Sequence, residues 1–159
     1  MRFCSTKNSQ GMTLLELLIT LAIIMIISSI AVPSYRMFIA NERFAIASNE
    51  LYNAYRFARN EAIKTSDSMT LEAITVDGEK SWANGWQVTK SNDVLNDVLL
   101  VSKKPHLSII VSGAAVTVEG MGALSGGGVT FSIKGSEGRS NCLVVLSSGQ
   151  SRLKDEPCP

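Results

Sequence analysis

Residues 12–32 form an unbroken apolar run in which Glu16 is the only charged side chain. Extended to residue 35, about 24 helical residues reach roughly 36 Å at about 1.5 Å each, enough to cross a hydrocarbon core of about 30 Å with some tilt. The overall composition, 45% hydrophobic and 18% charged, conceals this segment because it averages two unlike pieces. A carboxylate inside such a helix costs about 2.5–3.5 kcal/mol at the bilayer centre on insertion scales, so an acid is normally retained there for a partner. Glu16 therefore poses the first functional question of the chain.

The flanks of the run set its topology. Residues 1–11 are polar, with Arg2 and Lys7 and no acid, which marks the cytoplasmic side by the positive-inside rule. After Val32 the chain continues Pro33-Ser34-Tyr35-Arg36, with none of the small-residue pattern of a signal-peptide cleavage site, so the apolar segment is expected to stay. About 120 residues remain outside the cytoplasm, enough for one modest core.

Helical periodicity resumes beyond Pro33, which kinks a helix without necessarily ending it. From Phe44, a stripe of Ala47, Leu51, Ala54, Tyr55, Ala58 and Ala62 recurs at three- and four-residue steps, with Glu42, Arg43, Glu50, Arg56, Arg59, Glu61 and Lys64 mostly off it. The small alanines predict close packing on a sheet. After Thr65 the pattern changes to short β-rich runs at 69–76, 85–89, 94–101, 107–111, 115–118, 129–133 and 142–146, punctuated by Gly, Asn, Asp and Ser. Asp77-Gly78 is a two-residue hairpin signal. Ser125-Gly126-Gly127-Gly128 lacks the Gly-Lys-Ser/Thr and following helix of a phosphate cradle and is expected to be a connection. These patterns predict an α+β chain in which one long helix packs on an antiparallel sheet.

The short basic leader ending in Gly11, followed by Met12-Thr13-Leu14-Leu15-Glu16, a long apolar helix and Pro33, resembles the signature of type IV prepilins and type II secretion pseudopilins. Met12 stands where that family usually has Phe. Further on, Trp82-Ala83-Asn84-Gly85-Trp86-Gln87-Val88, the run from Gly128 to Gly135 and a late strand ending at Ser148-Gly149 resemble the GspH/FimT minor pilins and pseudopilins. The resemblance implies a type IV pilin-like fold with a leader at 1–11, a transmembrane or filament-core helix at 12–35, and a periplasmic globular domain at 36–159 that includes the amphipathic half of the helix. It implies cleavage between Gly11 and Met12 by a prepilin peptidase/methyltransferase, N-methylation of Met12, an assembly salt bridge from Glu16 to the N-terminal amine of a neighbouring subunit, and a helix kink at Pro33. The protein would be a single-pass bacterial inner-membrane protein, with other pilin or pseudopilin subunits as partners and incorporation into a pilus or pseudopilus as its role. Trp82 and Trp86 are expected to pack in the core or at its rim.

Cys4 would be lost with the leader, leaving Cys142 and Cys158 as an even pair in an oxidising compartment, where a disulfide is expected. His106 with these two cysteines lacks the short ligand spacings of a zinc site, so neither a metal nor a cofactor is expected. DNA is the second, less favoured partner. Some members of the family bind it through a C-terminal Gly-Arg-x-Arg motif, to which Gly149-Gln150-Ser151-Arg152 corresponds with Gln150 in place of the first Arg. Arg139, Arg152 and Lys154 are the candidate contacts, opposed by Glu137, Asp155 and Glu156, and loss of the leader turns the net charge from +1 to slightly negative. An enzyme is not expected: the single histidine has no triad-like spacing, and Asp93 and Asp97 flank apolar residues as exposed positions would.

Overall fold

The computed structural model describes residues 12–90, 97–102, 105–106 and 108–158. Its dominant element is the helix α1 (Leu14–Thr65), which runs through Pro33. Thr13 caps its start: the backbone N–H of Glu16 donates to Thr13 Oγ1 at 3.2 Å, the first half of a Thr-x-x-Glu capping box. At the other end the Thr65 hydroxyl donates to the Glu61 carbonyl at 2.9 Å, and Ser66 turns into the left-handed region at φ 58°, which stops the helix.

The chain divides into two compact units, bounded between Ile39 and Ala40. In the first, residues 12–38 are exposed throughout. The hydroxyls of Thr20 and Ser29 donate to the Leu17 and Ile26 carbonyls at 2.9 and 2.7 Å. They spend their polarity on their own helix, as a helix surrounded by lipid or apolar side chains requires.

In the second unit, α1 buries Phe44, Ala47, Ser48, Leu51, Ala54, Tyr55, Ala58 and Ala62, the expected stripe with Ser48 added. Ser48 is accommodated by the buried Asn141, whose Nδ2 donates to its Oγ at 3.3 Å. The strands are β1 (Met69–Ala73), β2 (Thr75–Val76), β3 (Glu79–Lys80), β4 (Trp86–Lys90), β5 (Asp97–Val101), β6 (Ile110–Ser112), β7 (Val116–Val118), β8 (Val129–Lys134), β9 (Ser140–Val145) and β10 (Ser151–Lys154). The single sheet expected from sequence is in fact two four-stranded antiparallel sheets, ordered β5-β4-β1-β7 and β10-β9-β8-β6, plus the hairpin β2–β3. That hairpin turns at Asp77 and Gly78, with φ 53° and 85°, as its Asp-Gly sequence requires. Residues 94–96 and 107 of two expected strands lie outside the described residues, and the second of those strands, β6, runs from Ile110 to Ser112.

Alternation places one face of each sheet in a shared core. Met69, Leu71 and Ala73 of β1, Phe131 and Ile133 of β8, and Asn141, Leu143 and Val145 of β9 are buried, with polar residues between most of them. Trp86 is fully buried. Trp82 is half-buried, donates its indole N–H to the Gly113 carbonyl at 2.8 Å, and packs edge-on against Phe131 at 5.2 Å. It thereby links the 3₁₀ turn Trp82–Asn84 ahead of β4 to the second sheet. The connection through Ser125–Gly128 leads directly into β8, as expected.

Candidate functional site

Two places in the chain carry groups whose arrangement goes beyond packing. The first is the start of α1. Leu14, Leu15, Leu17 and Leu18 are all exposed around Glu16, and Leu14 is 77% exposed. An apolar surface open on every side of a helix needs lipid or other helices around it. Among the described residues the ion pairs are Lys64–Glu61, Lys80–Glu72 and Lys90–Asp67, none of which involves Glu16. The Thr13 cap uses the backbone of Glu16 and leaves its carboxylate for another partner. Gly11 lies outside the described residues, whereas Met12 directly precedes the cap and is exposed.

The second place is the β9–β10 turn. Gly149 has φ 79°, and its carbonyl accepts a 2.7 Å hydrogen bond from the buried Tyr55 hydroxyl. One helical turn on, Arg59 Nε donates to the Gly122 carbonyl at 3.0 Å, and Leu124 N donates to the Ser147 carbonyl at 3.0 Å. Burial pushes the Tyr55 phenol above its ordinary range, with the Arg59 charge acting against that rise. Two residues four apart on α1 thus fix the 119–123 turn and the β9–β10 turn together. The sequence stripe marked Tyr55 only as a core residue, and Arg59 only as an off-stripe charge.

This anchoring sets the position of β10. Arg152 pairs in register with Val144, and Lys154 with Cys142. Arg152 and Lys154 are exposed and line a cleft of about 280 Å³ with Val144, Leu146, Gln150 and Ser151, without an acidic residue. Arg139 does not join them. It lines a separate cavity of about 510 Å³ with Asn41, Phe44, Ser140, Asn141 and Asp155. The three candidate cations therefore line two different cavities, two and one, although the antiparallel return of β10 sets Lys154 opposite Cys142, three residues beyond Arg139.

The disulfide joins Cys142 to Cys158, with their Cα atoms 5.0 Å apart. It ties the tail after β10 to β9. Elsewhere, His106 lies in a loop, its Nε2 accepting from Arg43 Nη1 at 2.8 Å and its Nδ1 2.9 Å from the Ser108 hydroxyl. Asp97 is exposed at the start of β5, while Asp93 lies outside the described residues. Burial raises the Glu72 carboxyl, but hydrogen bonds from Lys80 and Gln87 and the Lys80 charge outweigh it and leave the group below its ordinary range. Asp67 is likewise lowered, chiefly by its hydrogen bond from Lys90. Both carboxylates belong to ion pairs around the first sheet.

Residues 47–149 match the family described as type II transport protein GspH, and residues 6–32 match the prokaryotic N-terminal methylation motif. No curated protein sequence matches the chain. Among solved structures, the Pseudomonas aeruginosa type IV minor pilin FimU is 17% identical, with a TM-score of 0.62 over 74% of this chain and 92% of that one. The minor pseudopilin EpsH from the type 2 secretion system of Vibrio cholerae is 13% identical, with a TM-score of 0.55 over 70% of this chain and 95% of that one. At these identities the two structures establish a shared fold: a type IV pilin-like α+β architecture.

Proposed function

The chain belongs to the GspH family, and from that membership we propose that it is a non-catalytic minor pilin or pseudopilin that assembles into, or primes, a type IV pilus or type II secretion pseudopilus. In this reading a prepilin peptidase cleaves after Gly11 and methylates Met12, and residues 12–35 hold the protein in the inner membrane with its globular domain in the periplasm. Assembly then moves the helix from lipid into a bundle of neighbouring helices. The carboxylate of Glu16 pairs there with the amine of Met12 on an adjacent subunit, where low dielectric strengthens the attraction enough to offset desolvation of both groups. The observation that carries this reading is an apolar helix start whose one carboxylate is left over by its own cap.

Substitutions at the helix start separate the parts of the proposal. Gly11→Ala leaves an uncleaved precursor. Glu16→Gln is cleaved and keeps the cap, because Thr13 binds the backbone N–H, yet fails to enter sheared filaments. Thr13→Ala loses about 1 kcal/mol of capping but still assembles. Incorporation of Glu16→Gln at wild-type levels would overturn the salt-bridge role.

A second reading, a DNA-binding minor pilin acting in DNA uptake, draws on the acid-free cleft beside Arg152 and Lys154. Two phosphate contacts give only a shallow salt dependence and weak affinity. A mobility-shift assay on the full chain in detergent at low salt tests it: a shift abolished by Arg152→Ala supports DNA binding, and a shift indifferent to that change removes Arg152 from it.

A further inference from the structure

Beyond Pro33 the exposed Tyr35, Met37 and Phe38 continue the apolar surface of α1 past residue 35. Tyr35 and Phe38 stand where an aromatic belt meets a polar headgroup layer about 5–7 Å deep. Asn41 follows Phe38 by three residues, about 4.5 Å of helix. Chain continuity alone therefore brings the first residues of the globular unit to the surface of a bilayer.

Asn41, Phe44 and Ala45 share one face of α1 and form a wall of the cavity of about 510 Å³ that Arg139 and Asp155 also line. That volume falls among the about 300–1,000 Å³ of small-ligand sites. Arg139 directly precedes β9, and Asp155 directly follows β10. They reach the same cavity because the two strands run antiparallel, with Lys154 opposite Cys142. The Cys142–Cys158 disulfide then keeps the tail, with Asp155 and Pro157, at the cavity. A cation and an anion thus face one space, and among the described residues the ion pairs all lie elsewhere.

We propose that this cavity binds the headgroup of a membrane phospholipid that carries both a phosphate and a primary ammonium, an ethanolamine-type lipid of the leaflet from which α1 emerges. The Arg139 guanidinium takes the phosphate, which suits its planar fork of donors. The ammonium donates to the Asp155 carboxylate, an acceptor-only group. A choline headgroup has no N–H to donate and a glycerol headgroup has no positive charge, so Asp155 makes the site selective. A nucleic-acid backbone offers phosphate without the ammonium and fits the acid-free cleft at Arg152 and Lys154 better than this cavity. Bound lipid holds the globular unit on the membrane before assembly and leaves when the subunit enters a filament. The inference rests on the membrane placement proposed above.

The test reconstitutes the full cleaved chain into vesicles of ethanolamine and glycerol phospholipids in equal parts. Flotation reads membrane placement, and a zero-length carbodiimide joins a carboxylate to a lipid amine in contact with it. The expected result is a lipid adduct on Asp155 about fivefold above that on its exposed neighbour Glu156, the scale of one exposed ion pair. Arg139→Gln lowers the Asp155 adduct to the Glu156 level, and Arg139→Lys restores it. Equal adducts on Asp155 and Glu156 in the wild type, or an Asp155 adduct indifferent to Arg139→Gln, overturn the inference while flotation leaves the membrane placement standing. A chain that does not float refutes both. A product joining Asp155 to a lysine of a second copy in place of lipid also overturns the inference, because the cavity would then serve a contact between subunits.

Discussion

Gly149→Ala tests whether α1 holds the β9–β10 turn in the way its hydrogen bonds indicate. At φ 79° an alanine costs about 1–2 kcal/mol in backbone strain alone. Its Cβ would also overlap the Gly122 carbonyl oxygen and lie 2.8 Å from Arg59 Nε, so the turn must move away from the helix. That movement takes the Gly149 carbonyl from the Tyr55 hydroxyl, and a buried phenol left without its partner costs about 1–3 kcal/mol. Together the loss is about 2–5 kcal/mol. For a globular unit of roughly 120 residues, at about 3–5 °C per kcal/mol, the melting temperature falls by about 6–25 °C. Thermal melts of the full chain in detergent, followed by the fluorescence of Trp82 and Trp86, measure it. Gly126→Ala is the control, since nothing lies within 4 Å of a Cβ there. Because both changes remove the same hydrogen bond, Tyr55→Phe costs about 1 kcal/mol alone and much less in the Gly149→Ala background. A Gly149→Ala variant within 1 kcal/mol of wild type, or strict additivity with Tyr55→Phe, refutes the argument.

Replacing both Cys142 and Cys158 by Ser removes a cross-link of sequence separation 16 and lowers stability by about 3 kcal/mol, measured by urea denaturation; two reactive thiols in the native wild-type protein would show the bond absent. Glu72 has a folded-state pKa below its unfolded value, so its contribution is complete above about pH 4.5 and is lost as pH falls through the folded pKa. Glu72→Gln therefore flattens the acid limb of the stability curve below about pH 4.5, and an unchanged slope there contradicts the assignment. Trp82→Ala loses the bond to the Gly113 carbonyl and the edge-on contact with Phe131, and costs about 2–3 kcal/mol. Trp82→Phe, which keeps a ring, costs about 1 kcal/mol, and equal losses for the two would remove the ring contact from the explanation.

The core face of α1 was legible because a buried helix repeats every three or four residues, and the run from Phe44 to Ala62 keeps that period over five turns. The hairpin at Asp77-Gly78 was legible because positive φ at both positions selects few residues. Strand β10 was not: Ser151-Arg152-Leu153-Lys154 contains no β-branched or aromatic residue, and only Leu153 packs on the core. Division into two sheets was also hidden, since it depends on non-local pairings such as β1 with β7 and β6 with β8. The anchoring of the β9–β10 turn escaped for the same reason. Tyr55 lies 94 residues from Gly149, and nothing local to either distinguishes a core tyrosine from one that carries a turn. The Thr13-x-x-Glu16 cap, by contrast, was written in the sequence and was overshadowed by the charge of Glu16.

That cap sharpens what Glu16 is for. A backbone N–H to Thr13 is available whatever the side chain at position 16, so capping gives no reason to keep a carboxylate there. The helix dipole favours an acid in the first turn by only about 0.3–1 kcal/mol, and the opposing cost of a carboxylate rises with depth, towards about 2.5–3.5 kcal/mol at the centre of a bilayer. Cleavage after Gly11 would leave the new amine one residue ahead of Thr13, at the positive end of the same dipole, and N-methylation preserves its charge. Each group is misplaced when alone: the ammonium faces a like partial charge, and the carboxylate faces hydrocarbon. Pairing them across two chains removes both penalties at one contact and fixes the axial stagger between neighbours. If the acid of one subunit met the amine of the next, as proposed, the contact would be heterologous and would propagate along a filament.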